Sequence, residues 1–338
     1  MALKEKIGYG LGDMSSSMFW KIFTAYLPFF YSTVFGLSLV DATLLMLVSR
    51  VWDAVSDPLM GIVADRTSTR WGRYRPYLLW MAVPFAVAGI LLFTTPDFSY
   101  EGKRIWAYVT YILMMTVYTA INVPYGAMLG VVTDNSDEKT IFSSFRMFFA
   151  YAGSFIVLAG WEPLCRMFNS CRGLKAYVND PVSWQLSMMV VAFCCAVLFF
   201  LCFRMTRERV ATSKKENSVS SDLGFLFRNA PWWILLGSVL CFNLFSASRY
   251  TVGPFFFASI IGEGAQLRLF SLEFMFYAGI FFAVGEIANM LGVALAPWIT
   301  GKLGKKTTFI SCLTGMSVKR ICFYFVPVTG GGYWGMLL

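Results

Sequence analysis

The chain has 338 residues, of which 57% are hydrophobic, 18% aromatic and only 14% charged, with a mean hydropathy of +0.62. Soluble domains carry about 25% charged residues, so this composition excludes a water-soluble domain and predicts an all-α polytopic membrane protein surrounded by the lipid bilayer. The net charge of +9 would suggest nucleic acid in a soluble chain; here the basic residues follow membrane topology, and no nucleic-acid partner is expected.

The chain contains no histidine, which removes His-based triads, imidazole metal sites and histidine proton relays together. No nucleophile–base pair or metal-ligand set appears, so no enzymatic activity is expected. No C-x-x-C pair occurs, and Cys194, Cys195, Cys202, Cys241, Cys312 and Cys322 fall in apolar runs as small packing residues. Cys165 and Cys171 fall in a predicted outer loop, where an oxidising compartment would let them bridge.

Apolar runs predict nine spanning helices over 10–35, 40–65, 77–95, 105–131, 145–163, 184–203, 230–261, 272–299 and 307–326. Most loop cations then fall on one side, among them Lys4, Lys6, Arg66, Arg70, Arg73, Arg75, Lys139, Arg204, Arg207, Arg209, Lys302, Lys305 and Lys306. Fewer fall on the other, at Lys103, Arg104, Arg166, Arg172, Lys175 and Arg268. The positive-inside rule therefore places the N-terminus in the cytoplasm. Met1 to Lys6 is short and charged and leads into a full span, so no cleavable leader is expected.

In the first predicted helix, Gly8, Gly10 and Gly12 and the serine triplet Ser15–Ser17 allow close packing. Ser17 and Lys21 are four apart and share a face. Lys21 sits mid-span, where it either pairs with an acid of the second helix or contacts an anionic solute. The second helix carries Arg50, Asp53 and Asp57, with Gly61 beyond them, all within an arc of about 80° at 100° per residue. A charge at the bilayer centre costs about 2.5–3.5 kcal/mol, so such a stripe must face a protein-lined or wet interior. Pairing of Arg50 with Asp53 would explain two of the charges and leave Asp57 over, a place for a proton or a hard metal ion. In the fourth helix Tyr118, Asn122 and Gly126 form a polar stripe, and Pro124 frees a backbone carbonyl near it. Asn122 either belongs to the site or makes an interhelical hydrogen bond.

The turn after the second helix is a basic membrane anchor by composition. Its residues Gly61, Asp65, Arg66 and Arg70 also resemble the G-x-x-x-D-R-x-x-x-R signature of the major facilitator superfamily, which implies that they latch helix ends and gate the cytoplasmic side. Further strings make the resemblance more specific: Gly8-Tyr-Gly-Leu-Gly-Asp, Arg50-Val-Trp-Asp-Ala-Val-Ser-Asp-Pro, Arg70-Trp-Gly-Arg-Tyr-Arg-Pro, Tyr118-Thr-Ala-Ile-Asn-Val-Pro-Tyr-Gly, and the segment around Arg146. They resemble the glycoside–pentoside–hexuronide cation symporters, the family of melibiose permease, densely in the N-terminal half and in general character beyond it. The resemblance implies a cation site at Asp53 and Asp57 (the ligands of a sodium ion, if that is the ion) with Thr119 and Asn122 close by. It implies a solute cavity lined by Ser17, Lys21, Arg50, Tyr118, Asn122 and Arg146.

By position, two acids and an aromatic of the melibiose permease sugar site are replaced by Ser17, Asn122 and Gly126, while Lys21 and Arg146 remain cationic. A neutral galactoside fits that pattern less well than another glycoside or a hexuronide. The expected function is cation-coupled symport, with sodium or a proton, of a sugar, glycoside or hexuronide across the bacterial inner membrane, with no cofactor beyond the coupling ion. The alternative is a non-transporting sensor or an inactive truncated homologue.

The charged, serine-rich stretch 204–228 reads as a cytoplasmic linker between an N-terminal six-helix bundle, 1–203, and a C-terminal bundle, 229–338. Beyond it, Asn243, Ser246, Ser248, Arg249, Tyr250, Glu286 and Asn289 are secondary candidates. The family has twelve spans, so a major facilitator-type fold with an incomplete C-terminal bundle of about three helices is expected, and whether it transports by itself stays open.

Overall fold

The computed structural model describes residues 2–175, 179–209, 228–256, 265–269, 272–276 and 278–325. Linker residues 210–227, the chain beyond 325, and the side chains of Ser246, Ser248, Arg249 and Tyr250 lie outside the described residues. In chain order the helices are α1 (Leu3–Ala25), α2 (Leu27–Phe29) with a π-helical turn at Phe30–Phe35, α3 (Leu39–Arg66), α4 (Arg75–Trp80) and α5 (Ala82–Leu92). They continue as α6 (Tyr100–Val132), α7 (Ser136–Cys171), α8 (Pro181–Met205), α9 (Ala230–Phe256), α10 (Ala278–Leu303) and α11 (Lys305–Tyr324). Among the described helices α6, α7 and α8 are long and apolar enough to cross a membrane by length and composition. Helix α3, with 28 residues, has the length but carries Arg50, Asp53 and Asp57 in its interior.

One element departs from the all-helical expectation. Strands β1 (Ala265–Leu269) and β2 (Leu272–Phe276) pair antiparallel between α9 and α10, with Arg268 opposite Glu273 in the register. The helix predicted from 272 therefore begins later, at Ala278, and residues 257–261, the end of the helix predicted before it, lie outside the described residues. The Gln-Leu-Arg-Leu pattern of β1 alternates with period two, which suits a strand rather than a helix.

The loop expected to hold Cys165 and Cys171 is instead the end of α7. That helix has 36 residues, about 54 Å at 1.5 Å per residue, and so outruns a hydrocarbon core of about 30 Å. Its length therefore carries the ends of the helix past the hydrocarbon core. Its start is capped by Asn135, whose side chain accepts from the backbone N–H groups of Asp137 and Glu138. Both cysteines are free, and six residues apart on one helix they are too distant to bridge.

The chain divides into two compact units, residues 1–210 with 285–311, and 211–284 with 312–338. In the first unit α1 packs along α7 and α8, while α3 and α5 pack along α6. Small residues on α1 set these distances: a Cβ on Gly12 would stand 2.6 Å from the Tyr125 ring. Tyr125 Oη donates to the carbonyl of Tyr9 at 2.5 Å, Tyr9 Oη donates back to the carbonyl of Tyr125 at 3.4 Å, and the two rings stack at 4.8 Å. This reciprocal pairing satisfies two buried phenols at once.

Near the α1 N-terminus, Glu5 takes a two-pronged contact from Arg209, with Nη1–Oε2 2.8 Å and Nη2–Oε1 2.5 Å. Beside it the Glu208 carboxylate accepts from the backbone N–H groups of Arg73, Tyr74 and Arg75 at 2.7–2.8 Å, capping α4 from 133 residues away in sequence. Gly72 makes room for it, with φ +114° and a virtual Cβ that would stand 2.5 Å from Glu208 Cδ. An anion at a helix N-terminus meets orphan donors and the positive end of the dipole. Glu208→Ala is expected to lower the unfolding free energy by about 2 kcal/mol. Glu208→Gln, which keeps one acceptor, should recover part of that loss. Thermal unfolding of the detergent-solubilised protein measures both, and an unchanged midpoint in the alanine variant would contradict the cap.

Candidate cation and solute site

Between α1, α3 and α6 a cavity of about 390 Å³ is lined by Trp20, Arg50, Asp53, Asp57, Met115, Tyr118, Thr119, Asn122 and Val123. The α3 stripe and the α6 stripe therefore meet. Arg50 Nη1 lies 3.4 Å from Asp53 Oδ2, with Arg50 55% and Asp53 18% exposed. The other oxygen, Asp53 Oδ1, is buried and takes no hydrogen bond among the described residues. Asp57 Oδ1 accepts from Thr119 Oγ1 at 2.8 Å, and no ion pair to Asp57 occurs among the described residues. Thr119 is buried, while Asp57 remains exposed toward the cavity mouth. Asn122 turns its amide onto its own helix, donating to the Tyr118 carbonyl at 3.0 Å. Pro58 follows Asp57 and Pro124 lies just past Asn122, each removing one N–H from its helix ladder.

The other proposed cavity residues are placed elsewhere. Ser17, Lys21 and Arg146 are not among those lining this cavity. Lys21 Nζ lies 2.6 Å from Glu286 Oε1 of α10, so its acid comes from that helix and not from α3. Arg146 reaches from α7 to α1, with Nε 3.0 Å from Asp13 Oδ2 and Cζ 5.2 Å from the Tyr125 ring centroid. Cations inside an apolar bundle find the nearest fixed acid, which is why these two turn from the open cavity. Asp13 is the functional-looking group that the sequence reading passed over. It is four residues before Ser17 on the face that leads to Lys21, a signal that was available. Glu286 was foreseen as a secondary candidate, without its partner.

The signature residues at the end of α3 make no ion pair with one another among the described residues. Asp65 accepts from Tyr74 Oη at 2.6 Å, Arg70 Cζ lies 4.5 Å from the Trp71 ring centroid, and Arg66 is exposed on the last turn of α3. Burial and that hydrogen bond raise the pKa of Tyr74 above the ordinary phenol value. The latch on this loop is Glu208. Gly61 faces Val123, but a Cβ there would lie 3.9 Å away, ordinary contact distance, so no close approach depends on it.

Charged stripes inside helices of this length, meeting at one polar-lined cavity, are features of membrane transporters. The comparisons give the family: residues 8–338 match the family described as MFS/sugar transport protein. The chain belongs to that family. It is 36% identical over 331 residues to YagG of Escherichia coli (strain K12), whose name as a glycoside/cation symporter is itself provisional, covering 97% of this chain and 67% of that protein. It is 34% identical over 308 residues to the isoprimeverose transporter of Lactiplantibacillus pentosus, covering 90% and 61%, and 31% identical over 329 residues to the inner membrane symporter YicJ of Escherichia coli, covering 97% and 67%. The chain thus spans about two thirds of the length of these relatives. The crystal structure of tetrameric PepTSo2 shares the fold, with a TM-score of 0.59 at 13% identity over 99% of this chain and 79% of that one.

The two ion pairs around α1 and α3 differ in worth. Asp13 is 6% exposed, and removing one member of a buried pair costs about 3–5 kcal/mol. Exposed pairs contribute about 0–1 kcal/mol. Asp13→Asn should therefore destabilise the protein by about 3 kcal/mol, the low end because Arg146 keeps 30% exposure. Asp53→Asn should change stability little. Chemical denaturation of the two variants side by side checks the order, and equal losses would refute it.

Proposed function

We propose that the protein is a secondary transporter that couples a sodium ion or a proton to movement of a sugar, glycoside or hexuronide across the bacterial inner membrane, with its N-terminus in the cytoplasm. The observation that carries this reading is the convergence of Asp53, Asp57 and Thr119 on one cavity in a chain of the MFS/sugar transport family. The coupling ion sits between Asp57 and the unpartnered Oδ1 of Asp53, with the Thr119 hydroxyl turning a lone pair toward it. Arg50 holds Asp53 through a contact of 3.4 Å, longer than a usual hydrogen bond, which an arriving cation replaces at small cost. Tyr118, Asn122 and Arg50 contribute to the solute side. Ser17, Lys21 and Arg146 act from the surrounding shell, the last two as charges already matched. Gly61, Asp65, Arg66 and Arg70 belong to a gate region at the cytoplasmic end of α3.

The names of the relatives support this assignment: one is a symporter, one an isoprimeverose transporter, and a further relative, 28% identical over 330 residues, is a glucuronide carrier protein homolog of Escherichia coli. They favour symport over a sensor role. Asp57→Asn is expected to abolish ion-driven accumulation of sugar in proteoliposomes loaded against a sodium or proton gradient. Asp53→Asn should weaken it, and Lys139→Gln, at the start of α7, should leave it intact. Undiminished gradient-driven uptake in Asp57→Asn would overturn the cation assignment.

A further inference from the structure

A site for a pyranoside needs two kinds of surface: polar groups for the hydroxyl edge and a flat apolar surface for the C–H face of the ring. The polar half is supplied by Arg50 and Asn122. Among the residues lining the cavity, the flat half is limited to two rings, Trp20 and Tyr118. Tyr118 is packed on both sides, lying 6.1 Å from Phe85 in a stacked arrangement and 5.5 Å from Trp20. On α6, Gly126 offers no side chain, and a Cβ built there meets nothing within 4 Å. Trp20 is half-buried on α1, backed by Tyr118. Arg50 Cζ stands 5.1 Å from its ring centroid.

We propose that the Trp20 indole is the stacking platform for the sugar ring, and that Arg50, shared between this indole and Asp53, is where the sugar and ion sites touch. The proposal rests on the symport reading and names the residue on which its solute docks. The guanidinium covers the indole face only loosely, because a cation over an aromatic ring is favourable but weak when water reaches it. A sugar that stacks on the indole displaces Arg50 from the ring and brings hydroxyls to it. Arg50 then changes its hold on Asp53, so the sugar alters the ion site without touching either carboxylate.

The test is binding of a radiolabelled panel (isoprimeverose, a methyl glucuronide, and methyl glycosides of common hexoses and pentoses) to the membrane-embedded chain, with sodium and at two pH values. Wild type should bind at least one member in an ion-dependent way. Trp20→Ala should weaken that binding about tenfold or more, Trp20→Phe should stay close to wild type, and Trp20→Leu, which keeps bulk without a ring, should behave as the alanine variant. Ion-dependent stabilisation against heat without sugar should survive in Trp20→Leu, which separates loss of the platform from loss of the fold. Wild-type affinity in Trp20→Leu would overturn the platform and leave the symport reading standing. Should wild type bind no member of the panel, the symport reading falls and this one with it.

Discussion

A charge inside an apolar bundle must be matched where it stands, and that requirement arranges the first unit of this protein. Lys21 is matched by Glu286, Arg146 by Asp13, and Arg50 by Asp53. Asp57 is met by a neutral hydroxyl, that of Thr119. Across these residues the acids outnumber the bases by one. The surplus falls on the side chain that faces the open cavity, at the point where α3 and α6 carry polar stripes toward each other. On the proposed reading a monovalent cation closes the balance, and its departure is tolerable because Asp57 remains in contact with water.

The pairs are graded by burial, and the grading separates scaffold from site. Asp13 and Arg146 lie beneath Tyr125, in the same layer where Tyr9 and Tyr125 exchange hydrogen bonds and α1 meets α6 and α7. Further along towards the C-terminus of α6, Arg209 donates its backbone N–H to the Val131 carbonyl while its side chain holds Glu5. Glu208 next to it fixes the loop before α4. These contacts tie α1, α4, α6 and α8 into a firm block. Helix α3 is held differently: its buried residues are Ala42, Leu45, Ser49 and Ala64, and Leu44, Leu47, Val51 and Val55 are exposed. It leans chiefly on α6, through contacts such as Trp52 Nε1 to Thr116 Oγ1 at 2.8 Å. On the proposed reading, the exchangeable charge is carried by this more exposed helix rather than by the block.

Much of this was legible in the chain, for reasons that are local. Arg50, Asp53 and Asp57 declare one face of a helix through their spacing, and Tyr118 and Asn122 declare another; that the two stripes meet was implied by the family resemblance, not by periodicity. The glycines of α1 announced close packing in the same way. What was not legible depends on partners far along the chain. Nothing near Arg146 indicates that Asp13, on another helix, will neutralise it, and Glu208 gives no local sign that it will cap a helix that begins at Arg75. The Cys165–Cys171 loop was misread because Glu162, Arg166 and Arg172 look like the end of a span, whereas a helix can run on into the headgroup layer. The β-hairpin was missed because a five-residue apolar run such as Leu272–Phe276 fits a helix end and a strand equally well.

The two acids of the stripe are not equivalent, and the difference bears on how coupling would operate. Among the described residues, Asp53 already has a guanidinium on one oxygen and keeps the other buried without a donor, while Asp57 has only a hydroxyl. A proton would settle on a single carboxylate. A hard metal cation needs several oxygens, and the described residues contain no group of three or more acidic, histidine or cysteine ligands that would enclose it. A sodium ion here would draw on both acids, on Thr119 and on water or solute hydroxyls. Its affinity would then rise when sugar is present, because the sugar would complete the shell and move Arg50 off Asp53. On the proposed reading such a half-built site would bind neither ligand strongly alone, and each ligand would supply part of the free energy for the other, which is the thermodynamic content of coupling.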